Sequence, residues 1–117
     1  MKEELITYKT AVLAKEKGFD LDIFSRYNKD GIIIYSSLLD DEYRQLAPAP
    51  TQSLLQRWLR EEHKIFVYCI PKGFIKGNGR EVIRWGNNIS LRKGKYSTTY
   101  ELALEQGLIE ALNLIEI

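Results

Sequence analysis

Ile65-Phe66-Val67-Tyr68-Cys69-Ile70 is the stretch on which the fold turns: it alternates along an extended strand, with Ile65, Val67 and Cys69 on one face and Phe66, Tyr68 and Ile70 on the other. Pro71 ends the run. Lys72 to Gly79 follow as a basic loop holding Gly73, Gly77 and Gly79, and Glu81 to Trp85 return as a second strand with Ile83 and Trp85 on one side. Gly86-Asn87-Asn88 turns the chain, and Ile89 to Arg92 read as a short fifth strand. Upstream, Pro50 suits the first turn of a helix over Thr51 to Glu62, whose Leu54, Leu55, Trp58 and Leu59 make an apolar stripe, with Gln52 and Arg57 off it. Helix and hairpin side by side predict an α+β domain with antiparallel pairing.

The first half repeats that grammar. Thr7 is placed to cap a helix running from Tyr8 to Lys17, and Gly18 stands where a left-handed residue closes one. Leu5, Tyr8, Ala11 and Val12 fall on one helical face. Phe19 can fold back on the last turn. Ile23 to Tyr27 and Ile32 to Ser36 flank Asn28-Lys29-Asp30-Gly31, a hairpin signature, and the apolar run Ile32 to Tyr35 predicts a covered or central strand. Ser37 to Pro50, with its Ala47-Pro48-Ala49-Pro50, reads as a surface connector. At the other end Thr98-Thr99-Tyr100-Glu101 resembles a capping box, and Tyr100, Leu104, Leu108, Ala111, Leu112 and Ile115 repeat at helical spacing to Leu114. Gly107 inside this helix costs about 1 kcal/mol against alanine, which suggests a close approach. The expected order is α-β-β-α-β-β-(β)-α: four or five strands in two layers with three helices, one domain spanning residues 1 to 117.

Composition supports that class. At 44% hydrophobic and 28% charged residues the chain is ordinary for a globular domain, and no window approaches the roughly eighteen apolar residues of a membrane span. Met1-Lys2-Glu3-Glu4 carries no apolar signal segment, and a lone Cys69 fits a reducing compartment, so a cytoplasmic location is expected. The net charge of +1 hides an asymmetry: residues 1 to 56 hold seven bases and nine acids, 57 to 97 ten bases and three acids, and 98 to 117 four acids and no base.

Chemistry-bearing residues are sparse. One His and one Cys cannot build a zinc site of the usual kind, and no cofactor fingerprint is legible. His63 reads as a cation at a helix C-terminus, Cys69 as an inert thiol in an apolar strand, and Asp20-Leu21-Asp22 and Asp40-Asp41-Glu42 as solvated turn charge. Lys76-Gly77-Asn78-Gly79-Arg80 offers backbone amides and cations but does not open a helix, so it reads as a hairpin loop. No nucleophile or acid–base pair emerges, and an enzyme is not expected.

Binding remains. The second half shares the α-β-β-β-α layout of double-stranded RNA-binding domains, yet its last helix opens with Glu101 and carries Glu105 and Glu110, acids that would repel phosphates. Lys72, Lys76, Arg80, Arg84, Arg92, Lys93 and Lys95, interleaved with Phe74, Trp85 and Tyr96, form a candidate nucleic-acid-binding segment by charge and stacking. The amphipathic helices and the apolar run at Ile32 to Tyr35 instead favour a protein partner or self-association.

Three blocks carry a resemblance. Leu13 to Phe19, Ala49 to Ile65 (APTQSLLQRWLREEHKI) and Tyr100 to Ile115 (YELALEQGLIEALNLI) resemble a family of small proteins of unassigned function encoded in phages, prophages and mobile elements of gut Bacteroidetes. The resemblance implies an accessory role in the cytoplasm, exercised by binding, and brings no site residues with it.

Overall fold

The computed structural model describes residues 4–21, 23–35, 45–77, 80–89 and 96–116, with the backbone alone at 72, 74–77 and 80–83. The elements are α1 (Tyr8–Glu16), β1 (Ser25–Tyr27), β2 (Ile33–Tyr35), β3 (Ala47–Pro48), α2 (Gln52–His63), β4 (Cys69–Gly77), β5 (Arg80–Asn87) and α3 (Tyr100–Asn113). Two antiparallel sheets result, a three-stranded one in the order β2-β1-β3 and a two-stranded ribbon of β4 and β5. The fold is α+β, as the hydrophobic periodicity predicts.

Caps set the helix ends. Thr7 accepts from the Thr10 amide at 3.4 Å, Thr51 from Leu54 at 3.2 Å and Thr99 from Leu102 at 3.1 Å. The third helix is therefore capped by Thr99 rather than boxed between Thr98 and Glu101. Gly18 takes the positive φ expected of it, and the Phe19 amide closes α1 on the Ala14 carbonyl at 3.0 Å. The Phe19 ring goes on to α2, meeting Trp58 edge-on at 5.2 Å.

Burial corrects the expected face of α1. Thr10, Ala11 and Ala14 point inward, whereas Tyr8 and Val12 lie exposed at its margins. Small residues on the inner face let α1 lie close across β3 and α3. The core gathers Ile6, Leu55, Trp58, Leu59, Leu104, Leu108 and Leu112 between the helices and the first sheet.

The expected surface connector is corrected more strongly. Ala47, Pro48, Ala49 and Pro50 are all buried, and β3 pairs with β1 as Tyr27↔Ala47 and Arg26↔Pro48. Proline fits because β3 closes one side of the described sheet, where a missing N–H breaks no ladder bond. The Ala49 amide donates to the Ser25 carbonyl at 2.9 Å, and residues 4 to 6 run beside 50 to 52, with Ile6 N–H on the Pro50 carbonyl at 3.0 Å and Gln52 N–H on that of Glu4 at 2.8 Å. Residues 37 to 44 of the connector lie outside the described residues.

Among the described residues β2 is not central either: it lies at the other edge of the described sheet, with Ile32 and Tyr35 exposed. In the second half, Pro71 lies inside β4 rather than at its end, and the strand continues to Gly77 where a loop is predicted. A register shift between Pro71 and Phe74, with Gly73 at φ +101°, absorbs the irregularity. Residues 66 to 68 are held by a side chain: Asn88 Oδ1 accepts from the Tyr68 amide at 2.8 Å and Asn88 Nδ2 donates to the Phe66 carbonyl at 2.6 Å. Of the expected strand Ile89 to Arg92, residues 90 to 92 lie outside the described residues; Trp85 and Ser97 exchange both backbone bonds, at 2.7 and 2.8 Å.

Gly107 shows the predicted close approach. A Cβ there would stand 2.8 Å from Val67 Cγ1 and 2.9 Å from Asn87 Cγ, so its absence lets α3 sit on the base of the ribbon. Among the described residues, no helix is long and apolar enough to cross a membrane.

Candidate functional site

Among the described residues, Glu105, His63 and Cys69 each meet a neighbouring group. Glu105, read from the sequence as an acid that would repel phosphates, is buried, and its carboxylate ties three helices together. One oxygen accepts from the Thr7 amide and hydroxyl, both at 3.0 Å, and from the Thr10 hydroxyl; the other accepts from Gln52 Nε2 at 2.9 Å. α1 has no acid in its own first turn, so Glu105 of α3 supplies the negative charge its N-terminus favours. Gln52 is buried for the same reason, its amide also donating to the Glu101 carbonyl at 2.9 Å. Burial first, then the nearby Glu105 carboxylate, push the Tyr27 phenol up from its ordinary value, and its hydroxyl donates to the Ile6 carbonyl at 2.6 Å.

His63 ends α2 with its ring 4.6 Å from that of Trp58. The Cys69 thiol points to the Tyr100 carbonyl at 3.6 Å, and burial, helped by Glu101, pushes it up to about 11. Two surface grooves of about 520 and 220 Å³ run along α2 beside Leu54 and Arg57, and His63, Cys69 and Glu105 line neither. Among the described residues, no three or more His, Cys, Asp or Glu side chains are placed to share a metal ion.

The basic segment divides over the ribbon. Lys72 and Lys76 occupy β4, Arg80, Arg84 and Trp85 occupy β5, and Arg92, Lys93 and Lys95 lie outside the described residues. Arg84 and Trp85 face opposite ways. The Trp85 ring turns to α3 and meets Tyr100 edge-on at 5.4 Å, while the Arg84 guanidinium lies over Tyr96, 4.3 Å from the ring centroid. The structure therefore joins Arg84 with Tyr96 and separates both from Trp85.

Two groups of large apolar side chains reach the surface. Phe24 and Tyr35, 71% and 72% exposed, stand with Ile32 at the β1–β2 hairpin. Phe66 and Tyr68, 57% and 54% exposed, stand at the base of the ribbon. The alternation of residues 65 to 70 already sets Phe66 and Tyr68 on one face; that this face is the open one follows only from Val67 and Cys69 meeting α3. No family model, curated protein or solved structure matches this chain.

Proposed function

We propose that this protein is a non-enzymatic binding domain that associates with a second copy of itself through the edge of β2. The observation that carries this reading is the edge that β2 forms in the described sheet: Ile33-Ile34-Tyr35 bears no charge and no proline, and Phe24, Ile32 and Tyr35 are exposed around it. Such an edge is a template for strand addition. A second copy is the occupant favoured on charge, because an uncharged strand meets no like charge when paired about a two-fold axis and a net charge of +1 sets up little repulsion between copies. Antiparallel β2–β2 pairing would continue the two sheets into one of six strands. The engagement of Glu105, His63 and Cys69 supports a role in binding rather than catalysis. The resemblance of the three sequence blocks to phage and mobile-element proteins supports an accessory role in the cytoplasm.

Sedimentation velocity over a range of concentrations tests this reading. A dimer is expected for the unaltered protein, and Tyr35→Lys, which places cations on both sides of the two-fold contact, is expected to give monomer with an unchanged unfolding midpoint. Monomer at every concentration of the unaltered protein would overturn it.

A further inference from the structure

A second surface, separate from the β2 edge, lies on the far side of the β4–β5 ribbon. Val67 and Asn87 crowd the glycine of α3, and Cys69 and Trp85 touch Tyr100, so these four mark the face turned toward the helix. Alternation then sends Phe66, Tyr68 and Ile70 of one strand, and Arg84 and Gly86 of the next, to the open face. Ser97 pairs with Trp85, which places Tyr96 beside Gly86 on that same face, 42% exposed and under the Arg84 guanidinium.

Gly86 itself is buried, and the exposed rings of Phe66, Tyr68 and Tyr96 stand around it. Phe66 and Tyr68 lie two residues apart just before β4, and Tyr96 lies on the far side of β5 from them, about 10 Å away across two strand spacings. Residues 57 to 97, which supply this face, hold ten bases and three acids. Of those acids, Glu61 pairs with Arg57 on α2 and Glu62 lies beside it on that helix.

We propose that this open face binds single-stranded nucleic acid, with bases stacked on Phe66, Tyr68 and Tyr96 and a phosphate met by Arg84. Every base has a π-face for an exposed ring, and a cation fixed beside the ring reads the backbone without choosing a sequence. A duplex hides its bases and offers such rings nothing to stack. The rings supply what charge alone does not, and Trp85, turned to α3, is not among them.

Fluorescence anisotropy of the full chain with labelled oligothymidylate and oligouridylate of about twelve nucleotides tests the proposal. Saturable binding at low ionic strength is expected, weakening steeply with salt. Phe66→Ala and Tyr68→Ala are each expected to weaken it roughly fivefold or more. Arg84→Gln weakens it and flattens the salt dependence, whereas Tyr35→Lys, which breaks the proposed dimer, leaves the intrinsic affinity of each site unchanged. No binding at low salt, equal affinity in the Phe66 and Tyr68 variants, or preference for duplex over single strand would overturn it. Unfolding midpoints matching the unaltered protein confirm that the variants are folded, since both rings are exposed.

Discussion

The two sheets of this protein treat their edges in opposite ways. β4 carries Pro71, Lys72 and Lys76 and breaks its register at Gly73, all devices that stop another strand from adding to an edge. β2 has none of them and is apolar throughout. The exposed aromatics follow the same division: around the ribbon Phe66 and Tyr68 project from a face, whereas at β2 Phe24 and Tyr35 accompany an open edge. A blunted edge with a decorated face suits a flat ligand laid across strands; a bare edge suits another strand. The protein thus presents two chemically distinct surfaces, and α3 packs on the ribbon as well as on α1 and α2.

That joint is where the comparison breaks with the largest effect. Glu105→Ala removes the acceptor shared by Thr7, Thr10 and Gln52 and leaves the donors of Thr10 and Gln52 in the core, so a loss of about 3 kcal/mol in chemical denaturation is expected. Glu105→Gln keeps the shape but sets an amide donor among donors, and recovers only part of that loss. A loss below about 0.5 kcal/mol for Glu105→Ala would mean that the buried carboxylate does not hold α1, α2 and α3 together.

Gly107→Ala tests the ribbon's side of the joint. Alanine gains about 1 kcal/mol in helix propensity. Its Cβ, however, meets Val67 and an Asn87 fixed by bonds to the Ala103 carbonyl at 3.1 Å and the Ile89 amide at 3.0 Å. The overlap outweighs the gain, and a net loss of about 1–2 kcal/mol is expected. A stabilised variant would show that α3 and the ribbon are free to move apart.

Local patterns made the helices and the β1–β2 hairpin legible, because caps at Thr7 and Thr51, the glycine at 18 and the turn ending at Gly31 (φ +75°) act within a few residues. Gly107 was legible for the same reason. β3 was not, since Ala47-Pro48-Ala49-Pro50 has the composition of a loop and becomes a strand only because β1 and residues 4 to 6 enclose it from distant parts of the chain. Glu105 reads as one more acid that would repel phosphates until Thr7, Thr10 and Gln52 converge on it. The candidate binding segment follows the run of bases and the rings between them; the structure sets its Arg84 and Trp85 on opposite faces of β5, with Phe66 and Tyr68 exposed just before β4. Alternation pairs side chains on a strand face, and only the placement of α3 decides which face stays open.

The smallest effect lies at Cys69, which reports on the ribbon alone. Its thiol faces α3 and is held up at about 11, against 9 for an ordinary thiol, by burial first and Glu101 second. At pH 8 the thiolate fraction is then about a hundredfold below that of an ordinary thiol, so a disulfide reagent should modify the folded protein slowly and the urea-unfolded chain fast. Stability follows the same shift. Below pH 9 folded and unfolded thiols are both protonated; as pH rises from 9 toward 11 the unfolded chain loses the proton that the folded protein keeps, so stability falls across that window and levels off above it. Tyr100, raised by its own burial and then by Cys69, adds to the alkaline loss in the same direction. Cys69→Ala should shrink the fall between pH 9 and 11 without removing it. In Gly107→Ala the thiol should react at urea concentrations where the Trp58 core is still folded, because the ribbon leaves α3 before the first sheet opens; reaction only at the global midpoint would mean that both sheets melt as one unit.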